Sequence, residues 1–105
     1  MVSEQDWKLF RKKLPVWQEA YIGKVIEEYK SILQKDLLPS EKFWELEKRI
    51  FNDKKKTGVN AIMSRSKMME NIYALLNEGA ITKNELFDFS EELQNEIYYK
   101  FWGNN

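Results

Sequence analysis

The chain has 105 residues, equal numbers of basic and acidic side chains, 43% hydrophobic and 14% aromatic residues, and neither Cys nor His. This length and composition predict one globular domain, residues 1–105, that can bury a core without disulfides or a structural metal. The lack of Cys and His excludes thiolate nucleophiles, imidazole bases, disulfides and the usual zinc or haem ligands.

Two helical patterns cover the first third of the chain. Ser3 and Asp6 resemble a capping box, with Asp in place of Glu, at the start of a helix over 4–14. Pro15 disfavours helical geometry at Leu14 but suits a first helical turn. We therefore predict a sharp bend at Pro15, followed by a second and longer helix over 15–35.

The clearest helix start and stop signals lie between Pro39 and Gly58, and they predict a helix over 41–54. Ser40 can cap the first turn, Glu41 complements the helix dipole, and Gly58 can take a left-handed cap conformation. At about 100° per residue, one arc of about 160° collects an apolar stripe. Its members are Phe43, Trp44, Leu46, Ile50 and Phe51.

Glu47 falls inside that apolar arc. A buried and unpaired carboxylate costs several kcal/mol, so the side chain must be paired, hydrogen-bonded or close to an edge. The ordinary interpretation places Glu47 at the margin of the stripe or beside a buried Arg. The functional hypothesis makes Glu47 a carboxylate with a raised pKa in an aromatic pocket.

The C-terminal half contains shorter helical patterns. A helical turn over 59–63 and a helix over 66–78 precede Gly79, which ends that helix. Thr82 with Glu85 forms a capping box for a short helix, and Ser90 caps the last one. We expect residues 103–105 to fray. The sequence thus predicts an all-α fold, a single compact irregular or orthogonal bundle of five or six helices.

Charge is unevenly distributed along the chain. Residues 1–69 hold 15 Lys and Arg against 10 Asp and Glu, a net of +5, while residues 70–105 hold 2 against 7, a net of −5. Such a dipolar surface favours binding of an anionic partner at one end or head-to-tail self-association.

Five basic residues are candidates for contact with an anion or a nucleic acid, because they flank Gly58 and a predicted helix start. They are Lys54, Lys55, Lys56, Arg65 and Lys67. Neither a phosphate-binding loop nor a helix-turn-helix signature accompanies them. The alternative interpretation is that these cations complement helix ends and keep a turn soluble.

Aromatic residues provide a second candidate surface. Exposed aromatic patches mark interfaces, although core packing also accounts for many aromatics in a small domain. The candidate interface aromatics are Trp7, Trp44, Tyr99, Phe101 and Trp102.

Several short patterns together resemble a family of small uncharacterised cytosolic bacterial proteins. They are Trp7 with Phe10, the segments 14–19, 28–29 and 42–50 (KFWELEKRI), Gly58-Val59, Ser64-Arg65, the segment 79–82, and 89–93 (FSEEL). The resemblance implies a stand-alone helical domain of unassigned function, and it supplies no catalytic residue.

No spacing of Asp, Glu, Lys or Tyr signals an active site, so we expect a protein that is not an enzyme and that needs no cofactor, metal or small-molecule ligand. No stretch approaches the roughly 20 apolar residues that span a bilayer, and no signal peptide is predicted. We predict a cytoplasmic protein-interaction or regulatory module, with a protein partner or self-association. The alternative is a nucleic-acid-binding regulator that uses the basic 54–67 region.

Overall fold

The computed structural model describes residues 2–103, and the described chain is all-α with no strand. The two residues that follow Gly103 in the predicted frayed tail lie outside the described part. Two 3₁₀ turns, Arg65–Lys67 and Lys83–Leu86, accompany five α-helices. The helices are α1 (Glu4–Leu33), α2 (Pro39–Asp53), α3 (Thr57–Asn60), α4 (Met68–Asn77) and α5 (Glu91–Trp102).

The first two predicted helices form one continuous helix, α1, which runs through Pro15. The prediction of separate helices over 4–14 and 15–35 was therefore wrong. Pro15 removes the hydrogen bond to the Arg11 carbonyl, but both residues are on the exposed side, where water can replace that bond. Leu14 and Trp17, beside the proline, are buried, so their packing holds the helix together across it.

The hydrophobic core lies between the N-terminal half of α1 and the C-terminal elements. Phe10 and Leu14 of α1 are completely or almost completely buried there. Trp17 of α1 is also buried there. The other members come from α4, the second 3₁₀ turn and α5 with the loops before them: Met68, Ile72, Leu75, Ile81, Leu86, Phe89, Leu93 and Ile97.

The C-terminal half of α1 extends beyond this core and pairs with α2 as a helical hairpin. The radius of gyration is 16.6 Å and the molecule measures 52 × 31 × 19 Å. A compact chain of this length has a radius of gyration of about 13 Å. The helical class was thus predicted correctly, but the molecule is more extended than the compact bundle that we expected.

The starts of α1 and α5 follow their local signals. Ser3 Oγ accepts a hydrogen bond from the Asp6 amide at 3.1 Å, and Ser90 Oγ accepts one from the Leu93 amide at 3.2 Å. Gly79 follows the end of α4, as predicted, and has a left-handed backbone with φ of 76°. The predicted short helix after Thr82 is present as the second 3₁₀ turn.

The predicted limits of α2 need correction. The helix begins at Pro39, and Ser40 lies within it. The Glu41 carboxylate caps this start by accepting a hydrogen bond from the Leu38 amide at 3.0 Å. Gly58 is not a left-handed cap. It belongs to α3 and is buried against the ring of Tyr21. The contact is so close that a Cβ atom at this position would collide with the ring.

The capping box before the second 3₁₀ turn makes a testable contribution to stability. Glu85 accepts hydrogen bonds from the hydroxyl and the amide of Thr82, and the hydroxyl bond is the main reason that the pKa of Glu85 is lowered. A lowered folded-state pKa stabilises the fold above the unfolded-state value of about 4.3 and less at lower pH.

We therefore expect Glu85→Ala to lower the free energy of unfolding by about 1 kcal/mol at pH 7. The difference from wild type should shrink as the pH falls through 4, in urea denaturation followed by circular dichroism. Glu19→Ala, on the exposed surface of α1, is the matched control and should show no such pH-dependent loss. An equal loss for Glu85→Ala at pH 7 and pH 3 would contradict this role.

Candidate interaction surface

Helix α2 turns its apolar side to solvent. No residue between Pro39 and Asp53 is buried, although α2 carries an aromatic stripe. Phe43, Trp44 and Phe51 are 61%, 62% and 54% exposed. A shallow groove of about 350 Å³ runs along this side. We call it the α2 groove, and its lining residues are Phe43, Leu46, Glu47, Ile50, Phe51 and Lys54.

Polar contacts explain why the apolar side faces outward. Arg49 Nη2 donates to Glu28 Oε1 at 2.7 Å, and its guanidinium lies 6.0 Å from the centroid of the Tyr29 ring. One turn later, Tyr29 Oη donates to Asp53 Oδ2 at 2.6 Å. Arg49 and Phe51 are about 160° apart around the helix. Attachment of α2 to α1 through Arg49 and Asp53 therefore directs Phe51 away from α1.

The protonation states of these groups suit a contact that persists at neutral pH. Burial, followed by the hydrogen bond to Asp53, raises the pKa of Tyr29 to about 12. The hydrogen bond to Glu28 raises the pKa of the Arg49 guanidinium. Tyr29 thus remains a neutral donor and Arg49 a cation throughout the physiological range, so the hairpin keeps the same orientation.

Glu47 lies in the exposed α2 groove. Its surroundings are apolar, as the sequence predicted, but the stripe itself faces solvent and Glu47 is exposed. The burial that the functional hypothesis required is therefore missing in the free chain. Within the described residues, Glu47 makes no ion pair.

The five candidate interface aromatics are distributed over three helices. Trp7 is half-buried and stacks on Phe10 of the core at 6.2 Å between ring centroids. Trp44 is exposed and meets Phe43 edge to face at 4.9 Å. The remaining three candidates lie on α5, so the structure does not bring the five into one patch.

The α5 aromatics form a smaller second patch. Tyr99 and Phe101 are exposed, whereas Trp102 is half-buried and contacts Phe101 at 4.8 Å between ring centroids. The Lys83 ammonium lies 4.4 Å from the centroid of Tyr98 and 5.6 Å from that of Trp102. A cation of the chain itself already uses part of these rings, which makes the α5 patch less available than the α2 groove.

The candidate basic residues separate into two groups. Lys54, Lys55 and Lys56 are exposed between α2 and α3, and α3 contacts α1 near Gln18, whose side chain donates to the Thr57 carbonyl at 3.5 Å.

Arg65 lies near the start of α1, where it donates to Glu4 Oε1 at 2.8 Å. Glu4 and Gln18 are 14 residues apart, or about 21 Å along the helix. Lys67 also has an acidic partner, Glu70, at 3.6 Å. The five cations thus do not form the single phosphate path that we considered from the sequence.

A cavity of about 630 Å³ opens between the N-terminal ends of α1 and α5. Asp6 lines it and is only 4% exposed. Its carboxylate accepts hydrogen bonds from the Ser90 amide at 2.9 Å and from the Ser90 hydroxyl at 2.6 Å. The carboxylate of Asp6, in α1, thus accepts hydrogen bonds from the residue that caps α5.

The local sequence pattern pairs Asp6 with Ser3, within the same helix turn, and does not predict this contact. Asp6 and Ser90 are 84 residues apart, and no local pattern relates them. The exposure of the α2 stripe was also missed, although Glu47 inside the stripe was a signal for it.

Among residues 2–103, no helix is long and apolar enough to cross a membrane. The same residues contain no group of three or more Asp, Glu, His or Cys side chains that could hold a metal ion. No family model, curated protein or solved structure matches the chain. The resemblance to a family of small helical bacterial proteins therefore stays a prediction.

Proposed function

We propose that this protein is a non-enzymatic interaction or regulatory module that binds a protein partner through the α2 groove. The observation that supports the proposal is the exposure of Phe43, Trp44 and Phe51 on one helix that has no buried residue. Monomeric proteins rarely expose contiguous apolar patches larger than a few hundred Å², and larger patches mark interaction sites.

Energetics favour a partner for this surface. Full burial of a large apolar side chain is worth about 1.5–3 kcal/mol relative to exposure. The central parts of interfaces are enriched in aromatic residues and depleted of charged ones. The α2 groove shares the aromatic part of this composition, since two of its six lining residues are aromatic, two are aliphatic and two are charged.

The position of α2 also supports this role. The hairpin extends away from the core, so a partner can reach α2 without displacing the elements that hold the fold together. The ion pairs of Arg49 and Lys35 with α1 and α2 residues fix the helix in place before a partner arrives. Less conformational freedom is then lost on binding.

The alternative function, a nucleic-acid-binding regulator, has weaker support. Lys54, Lys55 and Lys56 are exposed, but Arg65 and Lys67 lie at a distance and already have acidic partners. Three lysines at a turn are typical of a solvated helix end.

Capture from native lysate followed by quantitative mass spectrometry tests the proposal. The baits are the wild-type chain and Phe43→Ser/Phe51→Ser. Because both side chains are exposed, we expect each change to alter the free energy of unfolding by no more than about 0.5 kcal/mol. The double variant should remain folded yet lose at least 90% of the captured partner. This loss corresponds to a tenfold weaker affinity, or about 1.4 kcal/mol of binding free energy.

Val16→Ser is the matched control, because Val16 is an exposed apolar residue on the N-terminal half of α1. This bait should capture the same proteins as the wild type. The proposal fails if the double variant and the wild type capture the same proteins in equal amounts.

A further inference from the structure

We propose that the partner of the α2 groove is a second copy of this chain, docked with the two α2 helices antiparallel about a two-fold axis. This inference rests on the proposed function, since it identifies the occupant of the same groove. It commits to an arrangement in which Glu47 of each copy pairs with Lys54 of the second copy.

The two charges in the groove carry the inference. Glu47 and Lys54 both line it, and neither has an ion-pair partner among the described residues. Lys54 directly follows α2 and keeps helical dihedral angles. Seven residues of helix separate the two side chains by about 10 Å along the axis and only about 20° around it. A negative and a positive group thus lie on one line along an apolar surface.

This order of charges is self-complementary. A two-fold interface uses the same patch on both subunits, so that residue i contacts j and j contacts i. A two-fold axis that passes between Ile50 and Phe51, in the C-terminal third of α2, reverses the direction of the second helix. It brings Glu47 opposite Lys54 of the second copy and, by symmetry, Lys54 opposite Glu47 of the second copy. Both unpaired charges become paired, while Ile50 and Phe51 pack at the centre.

The hairpin that carries the groove holds much of the exposed apolar surface of the described chain. Eight of the fifteen exposed large hydrophobic residues of the described chain lie in the hairpin between residues 26 and 51. They are Ile26, Leu33, Leu37, Leu38, Phe43, Trp44, Ile50 and Phe51. Two such hairpins can form a four-helix arrangement, the usual way to cover two apolar helix pairs.

A lipid surface fits the groove less well. A helix that lies on a membrane keeps its charges on the polar face and inserts an uninterrupted apolar face into the headgroup boundary. Glu47 lies near the centre of the apolar face, where insertion would remove its carboxylate from water. Pairing with an ammonium of a second copy avoids that cost.

Sedimentation equilibrium at about 50 mM salt tests the inference, because charge pairs at an interface are less screened at low salt. The wild type, of 12.7 kDa per chain, should dimerise with a Kd of about 10 μM or tighter. Glu47→Lys and Lys54→Glu should each raise the Kd at least tenfold, because each places like charges opposite one another twice.

Restoration of binding distinguishes specific pairing from general damage. The exchange variant Glu47→Lys/Lys54→Glu should recover a Kd within about threefold of the wild type. An equimolar mixture of the two single variants should form a mixed dimer more tightly than either variant dimerises alone. Lys24→Glu, which makes the same change in net charge as Lys54→Glu but on the exposed part of α1, should leave the Kd unchanged.

The inference is overturned if the wild type remains a monomer at about 100 μM, a concentration ten times the expected Kd. It is also overturned if the single variants dimerise as well as the wild type, or if neither the exchange nor the mixture restores pairing. Binding of the monomeric chain to anionic vesicles, lost in Phe43→Ser/Phe51→Ser, would assign the groove to a membrane instead.

These results also separate the two proposals. A monomeric wild type whose captured partner is lost in Phe43→Ser/Phe51→Ser would leave the proposed function intact and refute self-association. A monomeric wild type with unchanged capture would refute both.

Discussion

Asp6→Ala is expected to lower the free energy of unfolding by about 3 kcal/mol, since hydrogen bonds to charged groups are worth about 1.5–3 kcal/mol each. The Asp6 carboxylate is almost completely buried and accepts both the amide and the hydroxyl of Ser90. Alanine would leave the amide at the start of α5 without its acceptor. Urea denaturation followed by circular dichroism at pH 7 measures the effect.

Asp88→Ala is the matched control. The Asp88 side chain is 72% exposed, and its ion pair with Lys13 is of the surface type, worth about 0–1 kcal/mol. A double-mutant cycle of Asp6→Ala with Ser90→Ala should also give a coupling energy above 1 kcal/mol, by the usual range for residues in contact. If Asp6→Ala costs no more than Asp88→Ala, the proposed connection between α1 and α5 is wrong.

Gly58→Ala is expected to destabilise the fold by about 1–3 kcal/mol, the usual cost of overpacking. A Cβ atom at Gly58 would lie 2.5 Å from Cδ2 and 2.7 Å from Cγ of the Tyr21 ring. The backbone cannot easily retreat, because the amides of Thr57 and Gly58 donate to the Glu78 carboxylate at 2.9 and 3.0 Å. Thermal unfolding followed by circular dichroism will measure the loss.

Gly23→Ala provides the opposite expectation within the same protein. Gly23 is in the exposed part of α1, and an added Cβ would meet nothing within 4 Å. Alanine favours a helix interior by about 0.8–1 kcal/mol over glycine, so this variant should be more stable than the wild type. A Gly58→Ala protein that equals or exceeds the wild type in stability would contradict the close contact with Tyr21.

Local sequence signals predicted the parts of the fold that depend on neighbouring residues. The Ser3 and Ser90 caps, the Thr82–Glu85 box and the end of α4 before Gly79 are all present. Each involves atoms within a few residues of one another, so the pattern in the sequence contains most of the information that decides the geometry.

Distant contacts decided the features that were mispredicted. Pro15 opposes a continuous helix locally, but burial of Leu14 and Trp17 beside it outweighs that effect. Glycine is a common helix cap, yet Gly58 lies within α3, where it packs closely against the ring of Tyr21. Neither the continuous helix at Pro15 nor the position of Gly58 can be predicted from adjacent residues, because the residues that pack against these segments lie far along the chain.

The sequence predicted which residues form the apolar stripe of the candidate site, but it did not predict that the stripe faces solvent. The apolar stripe of α2 follows the helical period, and such a stripe ordinarily faces a core. In this chain Arg49 and Asp53 attach the other side of α2 to Glu28 and Tyr29. These contacts join elements more than 20 residues apart, and they determine which side of the helix remains exposed.

Site-specific photo-crosslinking tests most directly whether the α2 groove is an interaction surface. Phe43 and Phe51 are replaced one at a time by p-benzoylphenylalanine, Val16 is replaced in the same way as the control, and native lysate is irradiated in the presence of each protein. The account predicts adducts from positions 43 and 51 and none from position 16, with the adduct mass identifying a second copy or another protein. No adduct at either Phe position, or equal yields at all three positions, would contradict it.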